Sequence, residues 1–94
     1  MSNPIAAETN TEIVTLELKW FSVLAEHRKK RSETIQVQLG MTGTELIEYI
    51  SGDFPMLKKY KKHVRIAVNR DYVEPGHVLK DGDEIAFITP VSGG

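Results

Sequence analysis

The sequence finishes Thr89-Pro90-Val91-Ser92-Gly93-Gly94, and the most distinctive chemistry sits in those residues. Neither Gly93 nor Gly94 has a Cβ, so an α-carboxylate on Gly94 is unhindered. The pair also adopts backbone angles closed to other residues and can thread a narrow channel. Extended, residues 90–94 reach about 15–17 Å, which carries the carboxylate clear of a folded body. A main-chain carboxyl titrates near about 3.5, so it is ionised at neutral pH. As an acyl group it is inert, because its oxygen is a poor leaving group. It must be activated before it can accept or transfer anything.

Little else in the sequence competes for chemistry. There is no cysteine, which removes disulfides, thiolate catalysis and sulfur-ligated metals together. His27, His63 and His77 are far apart and lack companions at ligand spacing. Asp81, Asp83 and Glu84 flank a glycine without the calcium-loop pattern, and a turn into the last strand accounts for them. Neither G-x-x-x-x-G-K-[ST] nor G-x-G-x-x-G occurs, so no cofactor or ATP site is expected in the chain itself. Two basic clusters, His27-Arg28-Lys29-Lys30-Arg31 and Lys58-Lys59-Tyr60-Lys61-Lys62, read as a solvated loop and a solvated helix end. The functional alternative is a charged rim that steers an acidic partner. RNA binding is a third reading; a net charge of −1 and the lack of an RNA-binding signature count against it.

Ninety-four residues make one small domain with a single core. Hydrophobic residues at 40% and charged residues at 27% are ordinary for a globular protein. No apolar run approaches bilayer length. The opening MSNPIAAETNT lacks the basic-then-apolar order of a secretory signal. The absence of cysteine fits a reducing compartment, so a cytoplasmic location is expected, with no membrane and no nucleic acid as partner.

These residues need elements to position them. Residues 1–12 show no periodic pattern and are expected to form a flexible N-terminal arm. In Ile13–Phe21, Val14, Leu16, Leu18 and Trp20 fall on one strand face. Ile13, Thr15, Glu17, Lys19 and Phe21 fall on the other. Residues 22–32 are too many for a tight hairpin turn, and a short helix is expected there. A second strand, 33–39, alternates Ile35, Val37 and Leu39 against polar residues. Thr42-Gly43-Thr44-Glu45 fits a capping box, with Met41 and Leu46 at staple positions. Leu46, Ile47 and Ile50 then mark a helical stripe. Phe54-Pro55 opens a second short piece to about Lys61. Strands follow at 64–69, 72–73 and 84–89, separated by Arg70-Asp71, Pro75-Gly76 and Asp81-Gly82.

Strand, strand, helix, strand, short strand, strand makes an α+β layer pair. Periodicity alone does not force the pairing. The economical choice sets the last strand parallel beside the first, a β-grasp (ubiquitin-like) mixed sheet with one main helix on one face. The expected domain is 13–89, with residues 90–94 as an extended tail.

The segment "IAVNRDYVEPGHVLKDGDEIAFITPVSGG" resembles the small subunit of molybdopterin synthase, a ubiquitin-like sulfur carrier of molybdenum cofactor biosynthesis. "AVN" leads into a short hairpin, "LKDGDEIAF" turns into an apolar strand, and "PVSGG" closes the sequence. Strand order and the "L.WF..LAE" stretch extend the resemblance over 13–62. Thiamin-pathway sulfur carriers share the fold and the two glycines but look less similar in the Pro-Val-Ser lead.

The resemblance implies a mechanism. A ubiquitin-activating-type adenylyltransferase would use ATP and Mg²⁺ to adenylate Gly94, and a sulfur donor protein would convert it to a thiocarboxylate. The molybdopterin synthase large subunit would supply the pocket where that sulfur reaches a pterin precursor. Gly93 would give clearance, and Pro90, Val91 and Ser92 would form the lead into the partner. On the folded body the candidate contact residues are Phe21, Ala86, Phe87 and Ile88. Phe21, Ala86 and Ile88 form one exposed patch if the first and last strands are neighbours. The family often has an aromatic where Ile88 stands. Alone, the chain is expected to turn nothing over. The rival readings are a thiamin-type or tRNA-type sulfur carrier, a ubiquitin-like modifier forming isopeptide bonds through Gly94, and a plain β-grasp binding module.

Overall fold

In a computed structural model of the chain, residues 12–89 are described. The expectations placed on residues 1–11 and 90–94 lie outside that range. Strand β1 (Ile13–Trp20) is followed by helix α1 (Ser22–Arg28), β2 (Ser32–Gln38), α2 (Gly43–Ser51), α3 (Pro55–Lys59), β3 (Arg65–Val68), β4 (Asp71–Tyr72) and β5 (Glu84–Ile88). The five strands form one sheet in the order β2-β1-β5-β3-β4. β1 and β5 are parallel, and the other neighbours are antiparallel. This is the β-grasp arrangement implied by the element order.

The period-2 pattern of β1 decides which face is core. Leu16 and Leu18 are fully buried and Val14 and Trp20 nearly so. Val37, Ile66, Val68, Ile85 and Phe87 join them, and Leu24, Leu46, Ile47, Ile50 and Leu57 close the layer from the helices. Each such side chain contributes about 1.5–3 kcal/mol relative to exposure. The Trp20 ring stacks on Phe87 at 4.6 Å and meets Phe54 edge-on at 5.3 Å.

Helix α2 starts as its sequence dictates. The Glu45 amide donates to Thr42 Oγ1 at 3.2 Å and the Thr42 amide donates to Glu45 Oε1 at 3.0 Å. That satisfies two of the amides a helix N-terminus leaves without partners. Gly43 allows the next contact, since a Cβ there would stand 2.9 Å from Ile66 Cδ1. The Gly43 and Thr44 amides then donate to the carbonyls of His77 and Pro75, so the loop before β5 grips the start of the helix.

The start of β5 is held by two side chains that the sequence shows only as a strand end, Asn69, and a turn former, Asp83; the strand expected over 64–69 stops at Val68. Asp83 accepts from the Lys80 amide at 2.8 Å and from Asn69 Nδ2 at 2.9 Å, while Asn69 Oδ1 accepts from the Glu84 amide at 3.0 Å. Asn69 adopts φ 52°, a region that Asn tolerates better than most residues. The "AVN" and "DGDE" stretches are thus two halves of one clamp fixing β5 against β3.

Several expectations need amendment. β2 ends at Gln38, and Leu39 is 54% exposed instead of continuing the core face. Glu12 is tied in, its carbonyl accepting from the Leu39 amide at 3.0 Å. The second helical piece splits into α3 and a 3-10 turn, Lys61–His63. Arg28, read with its neighbours as solvated, is the largest difference. Its guanidinium donates to both carboxylate oxygens of Glu33, at 2.7 and 3.0 Å, and to Asp53 at 3.2 Å. It also lies 5.1 Å from the Phe54 ring centroid. Trp20 Nε1 donates to the same Glu33 at 2.7 Å. The Arg28 hydrogen bond is the chief cause holding the Glu33 carboxyl below the usual range.

Among the described residues, no helix is long and apolar enough to cross a membrane.

Candidate functional site

The sheet face opposite the core holds the candidate site. Parallel pairing sets Lys19 beside Ala86 and Trp20 beside Phe87, which brings Phe21 level with Ile88. Phe21 is beyond the strand, yet its φ of −134° and ψ of 157° keep it extended. Its side chain therefore keeps the alternation of β1 and lies on the Lys19 face. It is 48% exposed, a large apolar ring left half in water. Its carbonyl accepts from the Leu24 and Ala25 amides at 3.1 and 3.2 Å, so the first turn of α1 holds Phe21 in place. Ala86 and Ile88 are half-buried on the same face. Phe21, Ala86 and Ile88 thus form one apolar surface at the end of β5, two residues before Pro90.

Phe87 does not belong to that surface. It is fully buried, because a strand alternates and Phe87 shares the core face with Ile85. Its ring stacks on Trp20. As a partner-contact residue Phe87 is a correction: its side chain supports the strand that presents Ala86 and Ile88.

The pairing of β3 and β4 adds residues that sequence reading missed. Ala86 is opposite Ala67, Ile88 is opposite Arg65, and Ala67 is opposite Tyr72. A row Lys19–Ala86–Ala67–Tyr72 therefore crosses four strands beside the row Phe21–Ile88–Arg65. Tyr72 is 56% exposed, and the Arg65 guanidinium lies 4.3 Å over its ring. The signal was present in the alternation of "IAVNRDY", but only strand order shows that Tyr72 shares a face with Phe21. Lys19 borders the patch and pairs with Glu17 at 3.2 Å.

Chemically, this is a surface suited to binding. It offers an apolar centre with cationic edges. Among the described residues no group of three or more potential metal ligands forms. Gly93, Gly94 and the Pro90-Val91-Ser92 lead lie outside the described residues.

Comparison with known proteins gives the patch its context. The sequence pattern of the ThiS family matches residues 18–94. The chain belongs to the ThiS family. Among its relatives, the molybdopterin synthase sulfur carrier subunit of Homo sapiens is 39% identical over 82 residues, covering 84% of this chain and 93% of the relative. SAMP1 from Haloferax volcanii superposes with a TM-score of 0.73 at 27% identity, covering 85% of this chain and 99% of that one. A subunit in the complex of subunits 1 and 2 of the Helicobacter pylori molybdopterin-converting factor superposes with a TM-score of 0.62 at 27% identity, covering 86% and 100%. The ThiS-family match spans the clamp, the patch and both final glycines.

Proposed function

We propose that this chain is a sulfur carrier, the small subunit of a molybdopterin synthase, and that Gly94 is its working residue. The observation that carries the reading is the apolar patch of Phe21, Ala86 and Ile88, two residues upstream of Pro90, in a ThiS-family chain matched through Gly94. An exposed apolar surface of this kind suits a protein partner. Similarity to carrier subunits and to a subunit from the complex of subunits 1 and 2 of a molybdopterin-converting factor supports the identity of that partner.

The chemistry follows from the acyl group. Carboxylate oxygen of Gly94 attacks the α-phosphate of Mg-ATP on an activating enzyme, pyrophosphate leaves, and an acyl-adenylate forms. The terminal sulfur of a donor protein's persulfide attacks the carbonyl carbon and AMP departs. A thiol attacks the donor's own sulfur in the resulting acyl disulfide, forming a disulfide with the donor and releasing a thiocarboxylate for delivery to a pterin precursor in the large subunit. ATP, Mg²⁺ and the acid–base groups belong to the partners. With no cysteine in the sequence, no side-chain thiol of this chain competes for the sulfur. A reducing cytoplasm suits the thiocarboxylate.

Holding any five residues of chain in one conformation costs roughly 5–10 kcal/mol of backbone freedom. Two glycines recover little of it, so contacts made by the folded body must offset the remainder.

The experiment is intact-mass measurement after incubation with an activating enzyme, Mg-ATP and a persulfide donor. Exchange of one oxygen for one sulfur on the wild-type chain, and none on a chain lacking Gly94, is the expected result. A Gly94-deleted chain that still donates sulfur would overturn the proposal. The likeness to SAMP1, a modifier protein by name, favours one second reading: lysine attack on the same adenylate. Isopeptide adducts to other proteins in the same assay would mark it.

A further inference from the structure

The two basic clusters lie almost thirty positions apart in the sequence, and the topology brings them together. In the order β2-β1-β5-β3-β4, β5 lies between β1 and β3. Lys29, Lys30 and Arg31 form the turn from α1 into β2, at the end of β1 where Lys19 pairs with Ser32. The second cluster, Lys58 to His63, leads into β3, whose first residue, Arg65, is opposite Ile88 at the end of β5. Both clusters therefore flank the end of the sheet at which β5 finishes, one on each side of it.

The first cluster is held firmly. Lys29 takes a left-handed φ of 64° and its amide donates to the Ala25 carbonyl at 2.8 Å, closing α1. The Arg31 carbonyl accepts from the Trp20 amide at 2.8 Å, tying the turn to the residue before Phe21. Lys19, Phe21, Lys29, Lys30 and Arg31 line one surface cleft with a single carboxylate, Glu26. Lys29, Arg31, Lys59, Lys62 and Arg65 are exposed and, among the described residues, form no ion pair. The opposite end of β5 is acidic: Asp81, Asp83 and Glu84 gather there. Lys80 and Arg70 stand among those carboxylates, so the excess of positive charge in a chain of net charge −1 lies at the end where β5 finishes.

Resting on the reading above, we propose that these residues form a cationic collar which docks on an acidic rim around the tail-receiving pocket of the large subunit. The chemistry recognised is carboxylate: the partner carries Asp and Glu on the surface that meets Lys29–Arg31 on one side and Lys59–Arg65 on the other. The collar is continuous with the apolar patch, since Phe21 shares the cleft of Lys29 and Arg65 is opposite Ile88. The two surfaces divide the work. Long-range attraction orients the encounter with the glycine end leading, and the apolar patch sets residence time. Opposed charge patches act mainly on association rate.

The test is stopped-flow association of the full chain with the large subunit at several salt concentrations. Three double variants each remove two positive charges: K29N/R31Q and K59Q/K62Q in the collar, and R70N/K80Q at the acidic end. Asn suits the left-handed backbone at Lys29 and Arg70. Each collar variant is expected to slow association about tenfold at low salt, flatten its salt dependence and leave dissociation nearly unchanged. R70N/K80Q is expected to associate as wild type. Wild-type rates in both collar variants, with binding intact, would overturn the collar and leave the sulfur-carrier reading standing. Equal slowing in all three would also overturn it, since net charge would then be the cause. Failure of the wild-type chain to bind the large subunit would overturn the reading itself, and the collar with it.

Discussion

Phe21 and Phe87 show how the same side chain serves opposite ends according to strand parity. Phe21 is half exposed on the outer face, and Phe87 is fully buried against Trp20. F21D is expected to weaken binding to the large subunit about 10–100-fold, the range of a buried aromatic anchor. Its unfolding free energy should stay within about 0.5 kcal/mol of wild type. F87A is expected to lose about 3–5 kcal/mol in denaturant unfolding and to affect binding only as far as it unfolds the chain. Equal binding losses with equal stability would contradict this division. Glu33 gives a pH-dependent counterpart. Its carboxyl is held below the usual range, first by the hydrogen bond from Arg28. A depressed carboxyl contributes stability above its unfolded pKa, lost as pH falls through the folded one. Stability should therefore decline below roughly pH 4, and E33Q should flatten that part of the profile while lowering stability at neutral pH.

At the scale of elements, the starts of α2 and β5 matter most. The capping box was legible from Thr42 and Glu45 because capping is local: donor and acceptor are three residues apart. T42A is expected to cost about 1 kcal/mol in chemical denaturation. The clamp between β3 and β5 was not legible, because Asn69 and Asp83 are fourteen residues apart; alone, Asn69 reads as the end of a strand and Asp83 as part of a turn. N69A removes two hydrogen bonds and places a Cβ-bearing residue without a side-chain acceptor at φ 52°. A loss of about 1–3 kcal/mol is expected. N69G, which relieves only the backbone, should recover part of it. Complete recovery in N69G would show that the clamp bonds contribute nothing. The Arg28 cluster is the same lesson: a run of basic residues reads as solvated until folding brings Glu33, Trp20 and Asp53 around one guanidinium.

At the scale of the whole molecule, the described residues 12–89 hold one core. All buried hydrophobic residues among the described ones lie between Val14 and Phe87. Removing residues 90–94 is therefore expected to leave the melting temperature within about 2 °C while abolishing sulfur transfer. Adding one residue after Gly94 should do the same, since the carboxyl to be adenylated would no longer be glycine's. A large fall in melting temperature on truncation would mean that the tail stabilises the body.

What the sequence by itself determined was local and periodic. The alternation of β1 named Val14, Leu16, Leu18 and Trp20 as core, the Thr42–Glu45 spacing placed a helix start, and the closing residues pointed, through their likeness to sulfur carriers, to the chemistry proposed above. Pairing decided the rest. That Tyr72 joins Phe21 on one surface, that Asn69 locks β5, and that two distant basic runs face each other across its end all depend on strand order. Periodicity tells which side of a strand faces inward, but not which strand is its neighbour, because that choice is made by the burial of the entire sheet at once.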